Sequence, residues 1–198
     1  MPTALLSRTP HRPEKSILPI LDQMSLVRSR VHELCGVSRR TLALTVAQAT
    51  TGPIFWLTPG WQASSLNAEG VQAFIEPSRL ITVTIRRAED LLWSMEECLR
   101  SGAVPLVIAD LPGPPALTPV RRLHLAAETG TEEGRFAPLG LILTPGTGGA
   151  QGVESRWSMD PQHTATTTQW QLDRRRHRSE PPKTWPVARE GGELAMLA

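Results

Sequence analysis

The best candidate for chemistry in this chain lies in residues 30–44, RVHELCGVSRRTLAL. A strand-like run at 30–35 leads into Gly36, and a helix-forming segment follows at 41–50. That is the layout of a phosphate-binding loop, in which backbone N–H groups at a helix N-terminus cradle a polyphosphate. A working loop places about four residues between its first glycine and a Gly-Lys-Ser/Thr triplet. Here only Val37, Ser38, Arg39 and Arg40 separate Gly36 from Thr41, and none of them is lysine. The loop is too short for its chemistry, although the frame around it survives. The vestigial site is therefore Gly36, Ser38, Arg39, Arg40 and Thr41, with Asp110 at the end of a later apolar run. Arg39 and Arg40 have two readings: they help orphan N–H groups hold an anion, or they are solvated on a tight turn, the reading we favour. Asp110 reads first as a turn former or helix N-cap ahead of Pro112 and Pro114.

Other constellations carry less. His32 and Glu33 have no third ligand nearby in sequence, so they make a poor metal site. No G-x-S-x-G turn is present for serine hydrolysis. His124 and Glu128, four residues apart on a predicted helix, read as a surface pair, and Arg121 and Arg122 as its solvated face. The glycine-rich stretch 145–152, PGTGGAQG, lacks a following lysine and reads as a flexible connector. The dense basic cluster Arg174, Arg175, Arg176 and Arg178 is the candidate contact for DNA phosphates or an acidic partner, with Trp185 as its aromatic anchor. On a regular strand Arg174 and Arg176 would share one face and Arg175 would lie on the other. Trp61, Trp170 and Trp185 are expected at the surface, Trp56 and Trp93 in the core.

These residues need a scaffold to place them. At 198 residues the chain suits one core with extensions. A net charge of +2 is too small to argue for nucleic acid by itself. No apolar run reaches the roughly 18–20 residues of a membrane span. The first sixteen residues lack a signal-peptide core, so a cytoplasmic location is expected. Cys35 and Cys98 make neither a metal motif nor a disulfide framework.

Residues 1–17 read as a flexible arm, with three prolines. A short helix is expected within 18–27. The weakly alternating run 30–35 and the β-branched run 80–84 read as strands, and the apolar runs 53–57, 104–109 and 139–143 as buried strands. Helices are expected at 41–50, 66–74, 88–101 and 119–129. The third has Glu89 and Asp90 in its first turn and Gly102 as its stop. Strands alternating with helices predict an α/β fold with a mostly parallel central sheet covered on both faces. Segments 154–159, 167–173 and 185–189 read as a short antiparallel extension. The expected organisation is an arm at 1–17, a core at 18–150, a β extension at 151–190 and a tail at 191–198.

In sum of its segments the chain resembles the RecA-like recombinase fold, and within it the ImuA-type, SulA-related proteins that accompany error-prone translesion polymerases. RVHELCG resembles the strand leading into the phosphate loop, and TLALTVAQATTGPIFWLTPGW the following helix and second strand. RRAEDLLWSMEECLRSGAVPLVIADLP resembles the helix and the strand that carries the magnesium-binding aspartate. LTPVRRLHLAAE and PLGLILTPGTGGAQGVESRW resemble the next helix, strand and small-residue loop. The match spans residues 26–190, and its best piece is D-L-L-W-x-M-E-E-x-L-R-S-G-x-V, from Asp90 to Val104.

The resemblance implies a role in the DNA-damage (SOS) response, with an error-prone polymerase or a recombinase as protein partner and DNA as a further contact. The departures weigh against catalysis. Active members use a loop lysine, a hydroxyl and a water-positioning glutamate after the second strand. Here the lysine position holds Arg39 or Arg40 at best, and no Asp or Glu occurs between Glu33 and Glu69. Only Asp110 sits where the magnesium-binding aspartate would. The expectation is a degenerate accessory protein with no ATPase activity and no cofactor. The competing readings are a RecA-like nucleotide-binding ATPase and a SulA-like cell-division inhibitor.

Overall fold

The computed structural model describes residues 16–62, 66–190 and 192–197. Most of the arm expected at 1–17 lies outside these residues. A hairpin opens the described chain, β1 (Ile17–Leu21) paired antiparallel with β2 (Met24–Val27). The expected helix at 18–27 is therefore wrong. Leu18, Met24 and Leu26 are buried with exposed residues between them, and a two-residue turn at Asp22 and Gln23 joins the arms. That is the alternation of strands, and a helix would need an apolar face every three to four residues.

The remaining strands are β3 (Val31–Cys35), β4 (Ile54–Pro59), β5 (Leu80–Ile85), β6 (Leu106–Asp110), β7 (Leu139–Leu143), β8 (Ser155–Pro161), β9 (Gln169–His177), β10 (Lys183–Glu190) and β11 (Glu193–Met196). They form one sheet in the order β11-β10-β9-β8-β3-β7-β6-β4-β5. From β8 to β5 every pair is parallel; β8–β9, β9–β10 and β10–β11 are antiparallel. The five strands expected in one sheet are all there, and β6 lies in its interior between β7 and β4. A run of five buried residues, LVIAD, suits that place.

Two expectations need correction. β8 lies parallel to β3, so residues 155–161 belong to the parallel sheet and a boundary at 150 would cut through it. Strand β11 falls where a tail was expected. In both places the deciding interaction is pairing between strands far apart in sequence, which local pattern does not record.

Among the described residues four α-helices cover the sheet: α1 (Arg39–Gln48), α2 (Ala68–Gln72), α3 (Ala88–Arg100) and α4 (Leu117–Glu133). One apolar core lies between the sheet and α1, α2 and the hairpin, and continues beneath the C-terminal strands. The other lies under α3 and α4. Helix α4 begins two residues before Pro119, which the first turn tolerates because its first N–H groups need no partner. It also runs past the expected end at 129. Gly130 does not break it but lets it approach α3, since a Cβ there would collide with the carbonyl of Leu99.

Candidate functional site

Strand β3 lies between β8 and β7, and all five of its residues are buried. Such a strand can keep two polar side chains only if both are hydrogen-bonded. Alternation sends them to opposite faces. His32 bonds through Nδ1 to Ser155 Oγ at 2.7 Å, and its Nε2 lies 3.0 Å from the Val27 carbonyl. On the other face Glu33 accepts from Thr144 Oγ1 (2.6 Å), Gly149 N (2.8 Å) and Ala150 N (3.1 Å), and pairs with Arg156. The stretch 145–152 is thus fastened to the core, against the expectation of a flexible connector. Neither residue has metal-site geometry, and no group of three or more potential metal ligands occurs among the described residues.

Burial holds the His32 imidazole neutral and pushes its pKa down from 6.5 to about 4. An unfolded chain takes up that proton near pH 6.5, while the folded protein resists until about pH 4. Stability from this site is therefore complete above pH 6.5, falls between 6.5 and 4, and levels off below. A shift of this size corresponds to about 3 kcal/mol. Urea unfolding from pH 7.5 to 4 is expected to show that loss, and His32→Gln to flatten it.

The loop after β3 sits at the C-terminal edge of the parallel strands, where α/β sheets usually bind ligands. Gly36 has φ +86°, and a Cβ there would lie 2.5 Å from the Met159 carbonyl oxygen. Its N–H donates to Gly146 O (2.9 Å) and that of Ser38 to Met159 O (2.9 Å). The Val37 N–H donates to Asp160 Oδ1 (2.8 Å), whose other oxygen accepts from Ser158 Oγ (3.0 Å). In a phosphate cradle such N–H groups point at the ligand. Here three successive ones are engaged by the protein's own acceptors, one of them a carboxylate.

The side chains repeat the pattern. Arg40 places Nε and Nη2 each 2.6 Å from Asp110 Oδ2, and Arg39 Nε lies 3.8 Å from Oδ1. Asp110 is buried, so it is an ion-pair partner and not the expected N-cap; α4 starts after Ala116 instead. The arginines are likewise not simply solvated. Thr41 continues the first turn of α1. After β4, where the resemblance alone would put a water-positioning glutamate, the chain reads Gly60-Trp61-Gln62. A cavity of about 380 Å³ remains beside the loop, lined by Gly36, Val37, Arg39, Gly146, Thr147, Asp160 and Arg175. The charged groups among these are Arg39, Asp160 and Arg175. The nearby Cys35 thiol is pushed up to about 11, chiefly by burial.

The basic cluster divides. A bulge in β9 leaves Arg175 without a partner in the register, between the pairs Arg156–Arg176 and Trp157–Arg174. This breaks the simple alternation expected and leaves Arg175 on the cavity. Arg174 is only 5% exposed. It donates to Pro181 O (3.0 Å), pairs with Glu180, and lies over the rings of Trp157 and Trp185, 5.9 and 5.2 Å from their centroids. Trp185 is 7% exposed and stacks on Trp157 with centroids 6.0 Å apart. Arg174 and Trp185 are therefore core residues, contrary to the exposed recognition surface expected of them. Arg175, Arg176 and Arg178 remain exposed, and Arg178 lies 3.1 Å from Glu154.

The tryptophans also differ from expectation. Trp170 is buried, while Trp93, assigned to the core, is 57% exposed. Its position falls on the outer face of α3, where Leu91, Met95 and Leu99 take the buried side. Trp61 is exposed and Trp56 fully buried, as expected. His124 is not paired with Glu128. Its Nδ1 accepts from Val31 N (3.2 Å), which assigns the proton to Nε2, 3.1 Å from Gly152 O, and Glu128 pairs with Arg30. Local sequence gives no signal for Asp160 or Arg156, because each acts on a residue 123 positions away in the chain.

The chain matches no known protein-family model, and no curated protein matches it.

Proposed function

We propose that this chain is a non-catalytic, RecA-like accessory protein of DNA-damage-induced translesion synthesis that works through protein partners. The single observation carrying the non-catalytic part is the ion pair of Arg40 with Asp110. An arginine at the lysine position fills the place of the phosphates' counter-charge, and the aspartate suited to magnesium is already neutralised. Freeing Asp110 for a metal would break an ion pair made by a fully buried carboxylate, which is costly. Electrostatic preorganisation supplies most of the catalysis in phosphoryl transfer, and the parts that would supply it here are missing or diverted. The partner class follows from the resemblance of residues 26–190, and it is an error-prone polymerase or a recombinase. The exposed Trp93 and Leu125 offer apolar anchors, and Arg175, Arg176 and Arg178 add charge that speeds encounter with an acidic partner or DNA. Among the described residues no helix is long and apolar enough to cross a membrane.

Titration with a fluorescent ATP analogue and magnesium is expected to give no micromolar binding. Micromolar affinity abolished by Arg39→Ala would favour the ATPase reading. Calorimetry with purified translesion polymerase and recombinase is expected to give heat with at least one of them. Binding only to a cell-division protein would favour the SulA-like inhibitor.

A further inference from the structure

Away from the vestigial loop, the sheet ends on β5, whose only neighbour among the described residues is β4. Its sequence, LITVTI, carries no charge, and every residue after the first is β-branched. Along a strand, successive residues turn their backbone N–H and C=O groups to alternate edges. The Ile85 carbonyl accepts from Gly60 N (2.8 Å), so Ile85, Val83 and Ile81 turn theirs toward β4. Thr82 and Thr84 therefore present theirs to the open edge. Both threonines are exposed, and Ile81 is 43% exposed.

Such an edge is a template for another strand, and proteins usually guard it with charge, proline, a bulge or shortness. The opposite edge, β11, is guarded twice over: it has four residues and begins with Glu193. Strand β5 has none of these devices. Its charges lie just beyond its ends. Glu76 precedes it, and Arg86 and Arg87 follow before the chain turns into α3. All three are exposed and make no ion pair among the described residues. Arg79, next to the strand, is turned inward onto the carbonyls of Gly52 and Thr50, each at 2.8 Å. A strand with an acid before its start and bases after its end is complementary to itself when reversed.

We propose that β5 is the interface between two copies of this chain, paired antiparallel about a twofold axis at Thr82. In that register the two Thr82 residues exchange both backbone hydrogen bonds, and each Thr84 N–H donates to the Leu80 carbonyl of the other copy. The Leu80 N–H stays on Pro77 O, where it already lies. Ile81 meets Val83 of the second copy, and Val83 packs on the core under α3, so the pairing covers apolar surface. At the ends, Arg86 and Arg87 of one copy come beside residues 76–78 of the other, where Glu76 lies. An unrelated strand could make the backbone bonds but not this charge match. The contact is isologous, so it closes as a dimer and does not grow. Six residues a side make a small interface. Dissociation at about 10–100 µM is expected of it. Strand β5 shares no residue with the cavity at Gly36, so this proposal stands or falls separately from the proposed function.

Sedimentation equilibrium and amide hydrogen exchange on the full chain test it. Between about 5 and 500 µM the parent is expected to pass from mostly monomer to mostly dimer. Over the same range, exchange at the Thr82 and Thr84 N–H groups is expected to slow by about three- to sevenfold, following the fall in the monomer fraction. Ile81 and Val83, whose groups face β4 in both states, should not change. Thr82→Lys sets two like charges against each other on the axis and is expected to weaken association by about tenfold or more. Glu76→Lys is expected to weaken it by about threefold, and adding Arg86→Glu and Arg87→Glu to restore it. If Thr82→Lys fails to fold, the exchange measurement on the parent decides alone. The proposal is overturned if the chain stays monomeric throughout, or if exchange at Thr82 and Thr84 is independent of concentration, as it would be with the edge covered by the chain itself. It is equally overturned if a folded Thr82→Lys associates as the parent does, or if the charge-exchanged variant stays as weak as Glu76→Lys.

Discussion

Replacing Glu33 by alanine is expected to cost about 3–5 kcal/mol of folding stability, a large share of what a domain of this size possesses. Glu33 is fully buried and collects donors from Thr144, Gly149, Ala150 and Arg156. Alanine would take the carboxylate from a partly buried Arg156 guanidinium, which keeps its bond to Ala150 O (2.8 Å), and strand two backbone N–H groups. The loss should not be confined to global stability. The stretch 145–152 would lose its fastening, so hydrogen exchange at Gly149 and Ala150 should accelerate before the rest of the sheet. Denaturant titration measures the first effect and exchange the second. A cost below about 1 kcal/mol would mean that the loop holds its place without the carboxylate, at the level of a surface pair.

A comparably large effect is expected at Arg174. Arg174→Ala should destabilise the protein by about 2–4 kcal/mol, because it removes a buried cation held by Glu180, Pro181 O and two indole faces. The triple replacement of Arg175, Arg176 and Arg178 by alanine should change stability by no more than about 1 kcal/mol, since all three are exposed and the buried Glu154, which Arg178 pairs with, keeps Arg30 as a second partner. Any role of this strand in binding a partner or DNA should therefore appear in the triple variant, as a salt-dependent loss of affinity in a folded protein. Thermal unfolding of both variants separates the cases. Equal stability of the two would place Arg174 at the surface after all.

The difference between these neighbouring arginines is instructive about what a sequence discloses. Four basic residues within five positions look alike along the chain, and regular alternation sorts them by number alone. The bulge opposite Arg156 and Trp157 sorts them otherwise, and it exists only in the pairing of β9 with β8. Trp185 followed the same route into the core, because its burial depends on Trp157, 28 positions earlier in the chain and two strands away in the sheet. Trp93 erred the other way. Helix α3 lies where it is expected, but expecting Trp93 in the core follows residue type, and its angular position on the helix sets it outside.

The sequence by itself determined the elements whose signals are local and strong. Continuous apolar runs marked β4, β6 and β7, since a strand covered on both faces has no polar alternation. Acidic residues before an apolar stripe and Gly102 after it bounded α3 closely. The absence of a lysine at 37–41, and of any acid between Glu33 and Glu69, needs no structure to be read. Tertiary structure alone decided what replaces the missing chemistry. Arg40 meets Asp110 from 70 positions away, and Asp160 reaches Val37 N from 123. An ion pair or a hydrogen bond needs atoms within about 3–4 Å. Only the order of strands in the sheet brings such distant residues that close, and strand order leaves no periodic trace in the chain.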